Sequence, residues 1–252
     1  MLTDVHCHLD HERFSADQDK VIERARAAGF RAIITNGLNA ETNRNVLSLA
    51  KKYDIVRPAL GMYPVEALKL TDERIDAELQ FIKEHSQEIA ALGEIGIDYH
   101  WVTGELERKR EKDILTKFLS LAEEIRKPVI IHSRGAEQEA ADLIAEYDLP
   151  AVIMHCFGGS LALAKKCEAK GWLFSIPCSI VHNAHFQQLV QQCALTTLLT
   201  ETDAPYQAPA KRLRNEPVFI AQTIKKIAEL RGMSAEEVEA QIDSNFLQVF
   251  GE

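Results

Sequence analysis

Short apolar runs alternate along the chain with longer segments in which apolar residues recur at helical spacing. The first run begins at Leu2 and leads into His6 and His8. After it, Ser15-Ala16-Asp17-Gln18 has the Ser-x-x-Gln form of a capping box, and Val21, Ile22 and Ala25 predict a helix ending near Gly29. A buried strand is expected at Ala32 to Thr35. Helices through Val46, Leu47 and Ala50 and through Ile75, Leu79 and Ile82 alternate with strands Ile55 to Leu60 and Ile89 to Leu92. A longer helix from about Leu106 to Arg126 closes at Lys127-Pro128, and the strand Val129 to Ile131 runs into His132. The helix of Ala140, Leu143 and Ile144 precedes the strand Ala151 to Met154, which runs into His155.

The last part of the chain repeats the theme. A helix from Leu161 to Ala169 stops at Gly171, a strand spans Trp172 to Ile176, and a helix carries Phe186, Leu189 and Val190. The strand Thr197 to Leu199 leads toward Asp203, and two closing helices follow, Val218 to Leu230 and one begun by the box Ser234-Ala235-Glu236-Glu237. Each strand is short and apolar on both faces, as in a parallel sheet covered by helices. Eight such repeats predict an α/β fold of the (β/α)8 TIM type, with residues 1–252 as a single domain. An open doubly wound sheet shares the alternation, but no Gly-x-Gly-x-x-Gly turn follows any strand.

Composition narrows the class further. The 252 residues are 46% hydrophobic and 27% charged, enough for one sizeable core. No apolar run approaches the roughly 18 residues needed to span a bilayer, and no basic-then-apolar leader is present, so a cytoplasmic protein without membrane partners is expected. The five cysteines are odd in number and show no Cys-x-x-Cys spacing, which argues against a disulfide framework or a zinc knuckle. A net charge of -9 excludes a broad basic surface for duplex DNA and leaves a local phosphate site open.

The polar residues that end the strands carry the chemistry. In an extended strand His6 and His8 point to one face and Cys7 to the other. Glu94 ends strand four, His132 strand five, His155 strand six and Asp203 strand eight. In a barrel these C-terminal ends meet on one rim. Four imidazoles and two carboxylates in one cup suffice for two divalent ions sharing a bridging carboxylate, and Glu94 is the expected bridge. Its glycine neighbours, Gly93 and Gly96, allow close backbone approach.

Taken in order, Asp4-Val5-His6-Cys7-His8-Leu9-Asp10, Gly93-Glu94-Ile95-Gly96-Ile97-Asp98-Tyr99, Ile131-His132-Ser133-Arg134, His155-Cys156-Phe157 and Glu201-Thr202-Asp203-Ala204-Pro205-Tyr206 resemble the TatD family of metal-dependent nucleases. The match continues through Arg214-Asn215-Glu216-Pro217 and Asn245 to Phe250 and so spans nearly the whole chain. The resemblance implies a TIM-type barrel, a two-metal site and hydrolysis of nucleic-acid phosphodiesters, commonly from a 3′ end. It implies that His6, His8, Glu94 and Asp203 hold one ion and that Glu94, His132 and His155 hold the second. Asp203 would also handle the proton of the attacking water, making Asp203 and Glu94 the catalytic pair. The metals are expected to be Zn, Mn or Mg.

Three positions depart from the family pattern. Tyr63 in Gly61-Met62-Tyr63-Pro64 stands where a substrate-contacting histidine is usual, His182 stands where a lysine precedes Asn-Ala, and Gly135 replaces an acidic residue. Arg134 pairs with a substrate phosphate or with an acidic neighbour on the rim. Tyr63, Tyr99, Trp101 and Tyr206 either stack single-stranded bases or cover the core. Lys211, Arg212 and Arg214 lie in the loop after strand eight, where a phosphate could enter, although short clusters of this kind are commonly solvated loop. His182 and His185 read as surface residues. The expected activity is a two-metal deoxyribonuclease acting on single-stranded or frayed DNA, with RNA as a further substrate. Hydrolysis of a small amide or ester is the alternative, and a non-catalytic metal-binding protein the third reading.

Overall fold

In the computed structural model, which describes residues 1–251, eight parallel strands pair in sequence order. They are β1 (Leu2–Cys7), β2 (Phe30–Asn36), β3 (Val56–Leu60), β4 (Ala91–Gly96), β5 (Val129–His132), β6 (Val152–His155), β7 (Leu173–Ile176) and β8 (Leu198–Thr200). Helices α1 (Gln18–Ala27), α2 (Ala40–Lys52), the short α3 (Pro64–Ala67) with α4 (Asp72–Glu84), α5 (Glu105–Ile125), α6 (Glu137–Ile144), α7 (Leu161–Ala169) and α8 (Ala184–Gln192) fill the connections. Two more, α9 (Ile220–Arg231) and α10 (Ala235–Phe250), follow β8. This is the predicted (β/α)8 barrel.

Period-two alternation divides the core in two. Inward-facing Val5, Ile34, Ala59, Ala91, Ile130, Ile153, Leu173 and Leu199 pack on one another and on Phe246 of α10, while the outward-facing apolar residues pack on the helices. Asn245 donates from its amide to the carbonyls of Leu195 (2.8 Å) and Leu198 (2.7 Å), fastening α10 beside β8.

The seam between β1 and β8 closes by other means than a regular ladder. Cys7 bridges to Ala204, the Asp203 amide donates to the His6 carbonyl at 2.8 Å, and the His8 amide donates to Ala204 at 2.8 Å. Below these bonds the fully buried Asp4 carboxyl accepts from the Thr202 amide (2.9 Å), the Thr202 hydroxyl (2.5 Å) and the His6 amide (3.2 Å). Burial pushes this carboxyl up to about 8 in spite of the Thr202 bonds.

Several boundaries differ from the sequence reading. The Ser15 box does not form: Ser15 donates to the Glu12 carbonyl, Asp17 sits at the N-cap of α1 without capping it, and its carboxylate instead takes both guanidinium nitrogens of Arg214 at 2.6 and 2.7 Å. A long-range ion pair outcompetes the local bond there. The Ser234 box does form, and a second one, Asn39 with Thr42, caps α2. Thr197 belongs to a 3-10 turn rather than to β8, and Glu94 lies inside β4 rather than beyond its end.

Because among the described residues only the Asp4 carboxyl meets the Thr202 hydroxyl across the seam, Asp4→Ala is expected to lower stability by about 3 kcal/mol, a fall in Tm of roughly 6–12 °C. Asp4→Asn, whose Oδ1 can still accept from the Thr202 and His6 amides while its Nδ2 meets the Thr202 hydroxyl with the bond reversed, should stay within about 1 kcal/mol of the parent. Thermal unfolding of both variants checks this, and equal losses would contradict it.

Candidate metal centre

Whether a rim residue faces the cup depends on strand parity. On β5 and β6 the interior residues Ile130 and Ile153 are followed two positions later by His132 and His155, which therefore face inward. On β8 Leu199 is interior, and Glu201 and Asp203 continue its parity beyond the strand. Simple alternation fails on β1 and β4. Val5 is interior, so His6 would point outward. Between Asp4, opposite Ile33, and Cys7, opposite Thr35, the ladder carries one residue too many, and His6 and His8 turn into the cup while Cys7 reaches the Ile34 carbonyl.

β4 repeats the device. Leu92 lies opposite Val129 and Ile95 opposite Ile131, so an extra residue in β4 turns Glu94 inward and leaves Ile95 in the outer core. The glycines beside it are required by space: a Cβ on Gly93 would lie 2.7 Å from Asn36 Oδ1, and one on Gly96 would lie 1.8 Å from the His132 carbonyl oxygen. Both bulges sit on the rim, where they re-aim a metal-type donor.

The structure brings all six predicted residues together. His6 Nε2 and His8 Nε2 are 3.3 Å apart; His6 Nε2 is 3.4 Å from Glu94 Oε2 and 3.8 Å from Asp203 Oδ1, and His8 Nε2 is 3.6 and 3.5 Å from the same oxygens. These separations are longer than good hydrogen bonds. Donors roughly 2.1 Å from a common centre in a tetrahedron stand about 3.4 Å from one another, so the spacing of His6, His8 and Asp203, which form one donor group, fits one cation, and Glu94 Oε2 stands at the same range from both imidazoles. The other Glu94 oxygen, Oε1, lies 2.8 Å from His132 Nδ1, and Glu94, His132 and His155 offer a second donor group within 4.8 Å. Glu94 thus faces imidazoles of both groups, His6 and His8 with one oxygen and His132 with the other.

Each outer imidazole is held by a carboxylate or a carbonyl that the sequence reading assigned no role. His132 Nε2 is 2.9 Å from Asp98 Oδ2, His155 Nδ1 is 2.7 Å from Glu201 Oε2, and His8 Nδ1 is 3.0 Å from the Asn36 carbonyl. This turns His132 Nδ1, His155 Nε2 and His8 Nε2 toward the cup, with His132 Nδ1 against Glu94 Oε1 at 2.8 Å, the arrangement that fixes ligand orientation in metal sites. Ser175 donates to Glu201 at 2.5 Å, and the Cys156 amide and thiol both approach Glu201 Oε1. Glu201 was visible in the sequence as an acid two residues before Asp203, on the same parity. Asp98 carried no such signal, because it lies in a loop beyond β4.

Electrostatics favour a cation here. Burial works against charge on His8 and His132, yet Asp203 and Glu94 around the first, and Asp98 and Glu94 around the second, hold both at about 9. Burial also disfavours the Glu94 carboxylate, but His6 and His132 outweigh it and keep Glu94 well below the usual range. Asp98 is held at about 2, its burial outweighed by the bonds from His132 and Tyr63. Burial, with His155 beside it, lowers His6 to about 4, and the rings of His6 and His155 stack at 3.7 Å.

Over the cluster opens a cavity of about 510 Å³ lined by Tyr63, Trp101, Arg134 and Tyr206 as well as the donors. The Tyr63 hydroxyl donates to Asp98 Oδ2 at 2.6 Å, so its polar end is directed at the carboxylate that holds His132. Arg134 makes no ion pair among the described residues and stands 6.0 Å from the Trp101 ring. Trp101 and Tyr206 are 64% and 49% exposed, too open to be core covers. Tyr99 instead packs against the core with Arg108 over its ring. Arg214 leaves the basic cluster for Asp17, and His185 bonds the Phe157 carbonyl at 3.0 Å.

Comparison with known proteins agrees with this architecture. A family model described as TatD related DNase matches residues 3–251. An uncharacterized metal-dependent hydrolase of Methanocaldococcus jannaschii is 37% identical over 247 residues, covering 98% of this chain and 96% of that protein. The human deoxyribonuclease TATDN3 is 33% identical over 259 residues, covering 99% and 94%. The crystal structure of the Escherichia coli TatD homologue YJJV superposes with a TM-score of 0.91 at 30% identity, covering 100% of this chain and 98% of that one. Among the described residues no helix is long and apolar enough to cross a membrane.

With His8 and His132 held at about 9, both are protonated at pH 7, and a divalent cation that takes these imidazoles must displace those protons. Metal binding to chelator-stripped protein is therefore expected to release protons at pH 7 and to tighten as pH rises toward 9. Calorimetry in buffers of different ionisation enthalpy reads the proton count. A heat independent of buffer would contradict the assignment.

Proposed function

This chain belongs to the TatD-related DNase family of metal-dependent hydrolases acting on ester bonds, and from that premise we propose that it removes nucleotides from the 3′ end of single-stranded or frayed DNA, with RNA as a further substrate. The observation that carries this reading is the single carboxylate, Glu94, facing two donor groups at once. His6, His8, Glu94 and Asp203 would hold one divalent ion, and Glu94, His132 and His155 a second. Zn or Mn suits the imidazole-rich donors and Mg a phosphate substrate. When bound, such ions supply an acidified water and neutralise charge building on the phosphoryl oxygens.

The protein's own groups do the rest. Asp203, 15% exposed at the mouth of the cup, takes the proton of the attacking water as the new P–O bond forms, and the P–O bond to the 3′ oxygen of the shortened strand breaks with that oxygen taking a proton from solvent. Asp98 and Glu201 keep the His132 and His155 rings fixed in their working orientation. Arg134, without a carboxylate partner among the described residues and lining the same cavity, is placed to fork onto a non-bridging phosphate oxygen. Tyr63 lines that cavity with its ring, while its hydroxyl positions Asp98. Trp101 and Tyr206 offer exposed faces for unpaired bases, which supports a single-stranded substrate. The direction of digestion follows the family resemblance.

The catalytic unit is proposed to be the whole of residues 1–252 as one hydrolase domain. All five cysteines are free, which suits a reducing compartment such as the cytoplasm.

The reading is tested by incubating metal-loaded protein with a single-stranded oligonucleotide labelled at its 5′ end. A ladder shortening stepwise from the 3′ end is expected, and an intact oligonucleotide alongside cleavage of amide substrates would replace this reading with the amidase one. For the proton step, Asp203→Asn at saturating metal should lower turnover by about two orders of magnitude or more, with oligonucleotide affinity changed far less. Turnover near that of the parent with metal occupancy preserved would remove Asp203 from proton transfer.

A further inference from the structure

A second cavity opens on the same rim, beside the one over the metal-type donors. It measures about 390 Å³, and Arg13, His182, Tyr206, Gln207, Lys211 and Arg212 are among its lining residues. Tyr206 and Gln207 also line the cavity over the donor cluster, so the two hollows share a ridge formed by the loop after β8.

The charge of this hollow is opposite to that of the protein. The chain has 38 acidic against 29 basic residues, yet among the described residues no carboxylate lines it. Half of the fourteen arginines are tied to acids among the described residues, as Arg24 is to Glu216 and Arg214, the next arginine along the same loop, to Asp17. Among the described residues, Arg13, Lys211 and Arg212 have no such partner, and Arg13 donates only to the Pro205 carbonyl at 3.3 Å. Three uncompensated cations around a concavity repel one another unless an anion joins them. The Tyr206 ring is half exposed on the ridge, with its hydroxyl 3.1 Å from His11 Nε2. A base stacked on it would carry its strand from one hollow into the other.

We propose that this second hollow is a phosphate subsite for the polynucleotide, holding a backbone phosphate that flanks the one undergoing hydrolysis. The inference rests on the nuclease reading above and deepens it: it makes a strand with at least one further phosphate the preferred substrate and gives Lys211 and Arg212 the task of binding it.

The test uses metal-loaded protein and a fluorescent single-stranded oligonucleotide with hydrolysis-resistant phosphorothioate linkages. Anisotropy is read at several salt concentrations for the parent, for Lys211→Gln with Arg212→Gln, and for Lys166→Gln with Lys170→Gln. The last pair removes the same charge from exposed positions of α7 and its C-terminal end. The rim variant is expected to bind about ten-fold more weakly near 0.1 M salt, with the slope of log Kd against log salt shallower by about 1, and the α7 variant to match the parent. Parent-like affinity and slope in the rim variant, or an equal loss in the α7 variant, would overturn the subsite. Cleavage of an unmodified oligonucleotide by the parent is scored separately. If it fails, the nuclease reading falls, while the binding comparison still decides whether the rim cations grip a strand.

Discussion

Glu94, Asp98 and Glu201 are buried beside the partly exposed Asp203 at one end of the barrel, and a buried carboxylate is tolerated only where donors face it. That constraint organises the rim. Glu94 faces His6, His8 and His132; Asp98 faces His132 and Tyr63; Glu201 faces His155, Ser175 and Cys156; Asp203 faces the Nε2 atoms of His6 and His8. Asp98 and Glu201 are saturated by neighbours at hydrogen-bond length. Glu94 and Asp203 face His6 and His8 across 3.4 to 3.8 Å, and that separation marks the place for a cation. Distance separates the two pairs that orient a ring, Asp98 with His132 and Glu201 with His155, from the wider contacts of Glu94 and Asp203 with His6 and His8; Glu94 reaches His132 at 2.8 Å with its other oxygen.

The backbone serves the same end. Without the extra residue in β1, the parity set by Val5 would turn His6 away from the cup; without the one in β4, Ala91 would do the same to Glu94. The seam bonds from Asp203 to the His6 carbonyl and from His8 to Ala204 then bind the first and last strands at the level where the donors meet. Closing the barrel and assembling the site are thus one structural event at this corner.

Much of this was legible in the chain itself. The eight apolar runs, the helices between them and the six donors at strand ends follow from periodicity and from polar residues placed where a parallel strand stops. The bulges were not legible, because one extra residue in a ladder is a matter of pairing and leaves no local pattern in either strand. The failed box at Ser15 has a similar origin: its signal is local, whereas Arg214, which takes Asp17, comes from the far end of the chain. Glu201 could have been found by extending the parity of β8 two residues. Asp98 depended on the path of a loop, which periodicity does not describe. The basic cluster after β8 was ambiguous by composition and divides in space, Arg214 into an ion pair and Lys211 with Arg212 onto an acid-free hollow.

The central claim is that Glu94 joins two ion positions in one cup. Metal content per chain, measured by elemental analysis on the parent, Glu94→Ala and His8→Ala after equilibration with Zn or Mn and removal of excess, tests it most directly. Two ions are expected in the parent, about one retained by His8→Ala, and a larger loss in Glu94→Ala with all three proteins folded. Equal single-ion losses in the two variants, or one ion in the parent, would contradict it.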